Sequence, residues 1–313
     1  MAQINFLDAD LKEIITQELC SLGHPPQDEE DLDTVLTRYL NLLLRRPPTI
    51  VWTVNQSQEL ENKILPQEIT LGLQQLIEKS ESGQDLKPHL STQSDNPDYK
   101  DLMFYDWGIF HFHLGTNPHP KRQGFVERTR DLLFAIAHSP TARMYLIDIH
   151  PHDGGFTNQD LLRILDENWT DILAPDTLKR CVGLPYNASD SDIDNLRKAG
   201  IDPILQTPGG RVLTPRGGGI TKPGNSRSIK READRRGGGI TKAGNSRSIK
   251  REVDRIKTEV RQLEELFIQQ RDTIADDFNG EYGKNWDELE FKVKSFEAPV
   301  RIEEITTGEM LQI

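Results

Sequence analysis

Three β-rich segments in the middle of the chain constrain its fold more than any other feature. They are GIFHFHL (108–114), DLLFAIAH (131–138) and RMYLIDIH (143–150). Their β-branched and aromatic content predicts a strand in each segment, and the last two are separated by the turn residues SPTA. Because strands joined by short connections can pair side by side in opposite directions, the spacing predicts an antiparallel meander.

Helical periodicity surrounds the predicted sheet on both sides. Apolar residues recur every three or four positions within 8–46 and 66–80, and again within 157–169 and 189–200. This spacing predicts amphipathic helices, whereas TIVWTV (49–54) has the composition of a short strand. The predicted fold class is therefore α+β, with N-terminal helices, a central antiparallel β-sheet with flanking helices, a long C-terminal coiled-coil-like helix and a short β tail.

A tandem repeat carries most of the positive charge. RGGGITKPGNSRSIKREADR (216–235) is followed at once by RGGGITKAGNSRSIKREVDR (236–255). Residues 211–261 contain 15 Lys and Arg against 5 Asp and Glu, a balance of +10, so the net charge of −12 leaves −22 for the rest of the chain. A basic arm on an acidic body is suited to neutralising the phosphates of nucleic acid. The alternative is that the arm binds the chain's own acidic surface or a second subunit.

A heptad pattern follows the repeat. Apolar residues step alternately by four and three positions, with one lapse at Gln270, and this pattern predicts a long helix with a coiled-coil seam. The seam residues are Ile249, Val253, Ile256, Val260, Leu263, Phe267 and Ile274. Because such a seam must pack against another surface, the segment 249–274 predicts a homo-oligomer or a partner protein.

These patterns divide the chain into predicted regions. They are a helical N-terminal region (1–90), an α+β central domain with a His-rich sheet (91–205), a basic Gly-rich duplicated arm (206–245), a long heptad helix (246–278) and a β tail (279–313). The 313 residues, of which 35% are hydrophobic, are enough for one large or two ordinary domains.

Composition argues against several classes of protein. Cys20 and Cys181 are far apart and match no metal or redox spacing, so neither a disulfide framework nor a zinc ribbon is predicted. The N-terminal segment has acidic residues where a signal peptide needs a basic flank, and no stretch reaches the ~18 apolar residues of a membrane span. We expect a cytoplasmic protein that does not associate with a membrane.

Histidine is concentrated in the region of the predicted sheet. Six of the eight histidines lie within residues 111–152. Because side chains two positions apart on a strand share a face, His111 and His113 project together from the first strand. By the same rule Tyr145, Ile147 and Ile149 belong to the core side of the third strand. Its other face then carries a second polar group, consisting of Asp148, His150 and His152.

The middle strand is predicted to form the floor between these two groups. If Leu132, Phe134 and Ile136 face the core, the floor consists of Leu133, Ala135 and Ala137. Strands that follow chain order would leave the two histidine-bearing walls about 9–10 Å apart, which suits two groups on either side of a substrate. A permuted order would make them neighbours and favour a shared metal ion.

Two reactions are compatible with this trough. In a metal-free ribonuclease one histidine accepts the 2′-hydroxyl proton and another protonates the leaving oxygen, with His111, His113, His150, His152 and Asp148 as the catalytic set. In the metal alternative, His111, His113 and one of His150 or His152 bind zinc or manganese and a bound water attacks. The third interpretation assigns these histidines no chemistry and treats them as hydrogen-bonded strand residues beside an interface.

Candidate contacts to RNA or DNA lie in two places. The loop after the first strand supplies Lys121, Arg122, Arg128 and Arg130 for phosphate groups, and Trp107 for base stacking. In the arm, the glycine triplets lie near basic residues that can bind phosphate, namely Lys222, Arg227, Lys242 and Arg247.

Two resemblances follow from these motifs. DWGIFHFHLG (106–115), with RRPP upstream and YLIDIHPH downstream, resembles an uncharacterised bacterial protein family with a DWGIxHxHLG motif. That likeness covers residues 38–170 and implies no activity. Helices followed by a small antiparallel sheet also resemble ribonuclease toxins of the RelE and barnase type, although the arginines and lysines that mark the strands of those families are missing here. This likeness implies a toxin-like ribonuclease.

The functional prediction is a nucleic-acid-directed hydrolase, a ribonuclease that uses the histidine-lined trough for acid–base catalysis without a cofactor. The alternative is a non-enzymatic nucleic-acid-binding or assembly protein that uses the basic arm and the heptad helix. The third candidate is a divalent-metal-dependent hydrolase with a His-x-His site.

Overall fold

The computed structural model of the chain describes residues 4–99, 101–152, 158–179, 181, 183–184, 188–198, 204–216, 247–296 and 299–312. The chain divides into two compact units. The first unit contains Met1–Asn41 together with Ile249–Ile313, and the second unit contains Leu42–Ser248. This division places both ends of the sequence in one unit.

Helices and strands alternate in the order that the sequence predicts, which confirms the α+β class. The helices are α1 (Lys12–Ser21), α2 (Leu32–Leu44), α3 (Gln58–Glu61), α4 (Gln67–Glu81), α5 (Leu102–Trp107), α6 (Asp160–Asn168), α7 (Asp190–Lys198), α8 (Arg247–Gln269) and α9 (Arg271–Tyr282). The strands are β1 (Thr53–Gln56), β2 (Ile109–His113), β3 (Asp131–His138), β4 (Arg143–Pro151), β5 (Leu205–Gln206), β6 (Val212–Leu213), β7 (Phe291–Ser295), β8 (Arg301–Glu304) and β9 (Met310–Gln312). A π-helical turn, Phe6–Leu11, leads into α1.

The second unit is built on a four-stranded sheet with the strand order β1-β4-β3-β2. The three strands predicted as a meander are antiparallel neighbours in chain order, because β3 pairs with both β2 and β4. The fourth strand corrects the prediction of a purely antiparallel sheet, since β1 pairs with β4 in parallel. The central sheet is therefore mixed.

Both faces of this sheet are covered. On one face the apolar side chains of β3 and β4 pack against α6, through residues that include Phe134, Tyr145 and Leu161. On the other face the sheet packs against α4, through residues that include Phe112 and Leu76. Polar residues of the sheet, including His111, His113 and Asp148, are therefore buried.

A β-bulge in β4 changes which residues share a face. The pairing of β3 with β4 shifts between Phe134 and Ala135, so that Ile147 is an extra residue on β4. Tyr145 and Ile147 therefore lie on the same side of the sheet as Asp148. The strict alternation predicted along this strand is wrong beyond the bulge, because Ile149 packs with the opposite core.

The heptad residues pack inside the first unit. Ile249, Val253, Val260 and Phe267 are buried, and the Phe267 ring lies 5.3 Å from that of Phe6. The single long helix predicted for 246–278 is in fact two helices, α8 and α9, which meet at Gln270, where the heptad pattern lapses. Much of the seam proposed for a partner is thus filled by the chain itself.

Candidate active site

Two rows of side chains run across the sheet and bring the polar groups of β2 and β4 to one side. In one row His113 pairs with Leu132, which pairs with His150. In the other row His111 pairs with Phe134, which pairs with Asp148. We call this side, which carries His111, His113, Asp148 and His150, the histidine face.

The floor between the two walls differs from the prediction. It consists of Leu132 and Phe134, whereas Leu133 and Ala135 pack into the core on the other side. The Phe134 ring centroid lies 6.5 Å from that of His111 and 6.3 Å from that of His150. The two walls are separated by one strand, a spacing of about 10 Å between backbones.

Asp148 and His150 form the best-defined polar pair of the histidine face. His150 Nε2 lies 3.0 Å from Asp148 Oδ2, and Nδ1 of the same ring lies 3.4 Å from Asn158 Nδ2. Lys63 Nζ donates to both carboxylate oxygens, at 2.8 and 2.9 Å, and to the Ile149 carbonyl at 2.6 Å. Burial alone would raise the pKa of Asp148, but these hydrogen bonds lower it overall, so the carboxylate is ionised.

His111 and His113 are buried and electrically neutral at neutral pH. Burial lowers the pKa of His113 to about 4, and the nearby Arg128 guanidinium adds to this effect. Burial also lowers the pKa of His111, against the opposing influence of Asp101, whose Oδ2 lies 3.5 Å from Nδ1. The Thr129 N–H donates to His113 Nδ1 at 3.1 Å, so the ring proton of His113 is on Nε2.

The accessible end of the histidine face lies where β4 ends. The His150 side chain is 18% exposed and His152 is half-buried, whereas Arg128 is exposed. The backbone N–H of His152 donates to the Arg130 carbonyl at 2.8 Å, which ties this segment to the loop before β3. His152 lowers the pKa of both His111 and His113, which shows that the three imidazoles interact electrostatically.

The predicted nucleic-acid contacts separate into three groups. Lys121, Arg122, Arg128 and Arg130 are exposed in the segment between β2 and β3. Trp107 is 2% exposed and packs in the core, so its indole is not displayed for base stacking. Lys222, Arg227 and Lys242 lie outside the described residues, and Arg247 is the first residue of α8.

Sequence patterns did not identify several residues that complete the site. Lys63 lies 85 residues before its partner Asp148, and Asp101 belongs to the segment before α5. No local motif connects a lysine in a loop to a distant strand carboxylate, so only the packing of the sheet reveals the pair. Within the described ranges, no group of three His, Cys, Asp or Glu side chains is close enough together to hold a metal ion. The zinc or manganese alternative stays a prediction.

The structure thus defines an α+β chain with a histidine-bearing sheet face. No known protein family, no curated protein and no solved structure matches it. Among the described helices, none is both long and apolar enough to cross a membrane. The chemistry of the site therefore bears on function more directly than the fold does, because fold alone does not specify activity.

Proposed function

We propose that this chain is a metal-independent ribonuclease whose catalytic groups lie on the histidine face. The observation that carries the proposal is the Asp148–His150 pair beside further imidazoles and the Arg128 guanidinium. An ionised carboxylate that fixes one imidazole, next to a second imidazole and a cation, is the set of groups that phosphodiester cleavage needs.

His150 is assigned the role of general base. Its Nδ1, which lies 3.4 Å from Asn158 Nδ2, is assigned as the proton acceptor because Nε2 faces the Asp148 carboxylate. In the proposed reaction Nδ1 takes the proton of the RNA 2′-hydroxyl, and the 2′-oxygen attacks phosphorus. His152 donates a proton to the 5′-oxygen as the P–O5′ bond breaks. The products are a 2′,3′-cyclic phosphate and a 5′-hydroxyl end.

Two further groups are assigned to the phosphate. The neutral His113 ring carries its proton on Nε2 and donates it as a hydrogen bond to a non-bridging oxygen. The exposed Arg128 guanidinium neutralises charge that develops on the phosphoryl oxygens. His111 is buried, and its Nδ1 faces the Asp101 carboxylate, so it is assigned no contact with the phosphate.

RNA is the proposed partner, and the basic arm is assigned to sequence-independent phosphate binding. The +10 balance of residues 211–261 predicts affinity that falls steeply as salt concentration rises. Cys20 and Cys181 are free and exposed, which fits the proposed location in a reducing cytoplasm.

The test is cleavage of a 5′-labelled RNA oligonucleotide by the full chain, with and without a chelator. His150→Ala and His152→Ala are each expected to reduce the cleavage rate by about 100-fold or more, the usual contribution of a general acid or base. His24→Ala, in the first unit, is the matched control and is expected to cleave at the wild-type rate. An oligonucleotide with a 2′-deoxy linkage at the cleaved position is expected to stay intact.

The outcomes separate the candidate functions. Undiminished cleavage by both variants overturns the assigned roles. Cleavage that is lost with chelator and restored by zinc or manganese favours the metal-dependent alternative. Binding of the oligonucleotide without any cleavage favours the non-enzymatic binding protein.

A further inference from the structure

A second concave site lies at the opposite end of the central sheet from the histidine face. It is a groove of about 690 Å³ that reaches residues at the end of β3, including Ile136, Ala137 and His138. The two rows of the histidine face cross β3 at Leu132 and Phe134, toward the start of the strand. The groove is therefore a separate site from that of the proposed ribonuclease activity.

The groove has an apolar, largely aromatic lining. Phe104, Phe110 and Tyr145 contribute rings, and Ile136 and Ile172 contribute aliphatic surface. Leu43 and Leu44 also line it and are 52% and 37% exposed. Because exposed leucines lose unfavourable contact with water when a ligand covers them, apolar burial favours occupation of the groove.

The lining contains two guanidinium groups, those of Arg46 and Arg216, and one carboxylate, that of Asp171. Arg46 Nη2 donates to Asp95 at 2.6 Å, but Asp95 also pairs with Lys87 at 3.0 Å. One carboxylate thus serves two cations, so the charge of Arg46 is incompletely neutralised. A guanidinium that shares its carboxylate with a second cation keeps N–H donors for an anionic ligand.

The second guanidinium, that of Arg216, is fixed by a glycine. Gly108 ends α5 in the left-handed region, with φ +70°, and a Cβ there would lie 2.1 Å from Arg216 Nη1. Nε of Arg216 donates to Asp176 at 3.2 Å, and its backbone N–H donates to the Asp106 carbonyl at 2.8 Å. The guanidinium is therefore held in place before any ligand binds, which reduces the entropy cost of binding.

We propose that this groove binds a small organic anion with a ring-containing apolar body and a single anionic group. Its volume lies within the range of about 300–1,000 Å³ that is typical of small-molecule sites. The aromatic lining accepts the ring system, and the Arg46 and Arg216 guanidiniums bind the anionic group.

Two fluorescent probes test this on the full chain. One is 8-anilinonaphthalene-1-sulfonate, a ring-containing anion, and the other is N-phenyl-1-naphthylamine, its uncharged analogue. We expect saturable binding of the sulfonate at one site per chain. Arg46→Met is expected to weaken binding of the sulfonate by about tenfold, the effect of losing one charged contact. Its affinity for the uncharged probe is expected to equal that of the wild type. Ala137→Phe, which fills the groove, is expected to weaken both probes.

Controls keep the test specific. Arg122→Met removes an exposed charge from the loop between β2 and β3 and is expected to bind both probes as the wild type does. The melting temperature of each variant is compared with that of the wild type. In a groove variant with an unchanged melting temperature, weaker probe binding reflects the groove itself and not a loss of folding. RNA cleavage is expected to be the same in Ala137→Phe as in the wild type.

Two results overturn the proposal. One is unchanged binding of both probes to Ala137→Phe. The other is a wild-type dimer in solution that Ala137→Phe converts to a monomer, because the groove would then be occupied by a second copy of the chain.

Discussion

Lys63 controls the charge of Asp148 from a distant point in the sequence. Its ammonium contacts both carboxylate oxygens and the Ile149 carbonyl, and His150 Nε2 lies 3.0 Å from one of the same oxygens. Burial opposes ionisation of Asp148, so the hydrogen bonds decide its state. The orientation of the His150 ring therefore depends on a lysine that never touches it in the described contacts.

Replacing Lys63 with methionine keeps the aliphatic stem and removes the ammonium. The pKa of Asp148 is expected to rise, and the free energy of unfolding to fall by about 1–3 kcal/mol, because a buried carboxylate loses a charged donor. Urea denaturation at pH 7 measures the loss. Lys121→Met, at an exposed position, is expected to stay within about 0.5 kcal/mol of the wild type. Equal stabilities of the two variants would contradict the assignment.

Ala142 stores backbone strain in the turn between β3 and β4. It has φ +50° and ψ +38°, a conformation that costs an L-residue free energy, and its carbonyl accepts from Thr53 N–H at 2.8 Å. Ala142→Gly is expected to stabilise the chain by about 0.5–1 kcal/mol, since glycine adopts this region without steric cost.

The opposite substitution at the same position is the control. Ala142→Val is expected to destabilise the chain by at least about 1 kcal/mol, because a β-branched side chain fits the left-handed region poorly. Both variants are compared by urea denaturation. A stabilised valine variant would show that the turn is not strained.

Strands β2 and β4 differ in how well alternation predicts them. In β2 successive residues alternate between the two faces without interruption, and His111 and His113 share a face as predicted. In β4 the extra residue Ile147 interrupts the alternation, and a bulge leaves no mark in hydrophobicity when both faces are buried. The sheet was thus predictable from composition, but the floor of the site was not.

The bulge in β4 is joined to the start of α3 by one hydroxyl. Ser57 Oγ donates to the carbonyl of Ile147 at 2.5 Å and accepts from Leu60 N–H at 3.0 Å. It is completely buried. A single side chain therefore satisfies the carbonyl of the extra strand residue and caps the helix that follows β1.

Ser57→Ala is expected to lower the free energy of unfolding by about 1–3 kcal/mol, because a buried carbonyl and a helix N–H both lose a partner. Guanidinium denaturation measures the change. Ser82→Ala removes an exposed hydroxyl that bonds within its own helix end and is expected to change stability by less than about 0.5 kcal/mol. If both variants were equally stable, the bulge would not depend on Ser57.

The two units of the molecule respond to acid through different groups. In the second unit, burial lowers the pKa of His89 and of His113 to about 4. In the first unit, Glu304 accepts several hydrogen bonds from Thr306, Thr307 and the backbone, which outweigh its burial and lower its pKa to about 2. Burial raises the pKa of Asp10 in the first unit, an effect of opposite sign.

The sign of each contribution follows from comparison with the unfolded chain. Unfolded histidine, with a pKa near 6.5, binds protons before the buried imidazoles do, so the second unit loses stability as pH falls from about 6.5 to about 4. At pH 5 the loss is about 2 kcal/mol for each imidazole. The contribution of Glu304 is lost only between about pH 4.5 and pH 2. The raised pKa of Asp176 opposes the loss in the second unit, but one carboxyl group is outweighed by the three buried imidazoles of His89, His111 and His113.

Acidification from pH 7.5 to pH 5 is therefore expected to destabilise the second unit and to leave the first almost unchanged. Trp52, Trp107 and Trp169 lie in the second unit, so the fluorescence of a Trp286→Phe variant follows that unit alone during denaturation. Hydrogen exchange of the α8 amides measures the stability of the first unit.

His89→Asn preserves a donor toward the His113 carbonyl, which His89 Nδ1 contacts at 2.9 Å, but the asparagine side chain does not titrate. This variant is expected to lose about a third of the pH dependence, because one of the three buried imidazoles, His89, His111 and His113, has been removed. Full retention of the pH dependence in His89→Asn would place the acid sensitivity elsewhere in the unit.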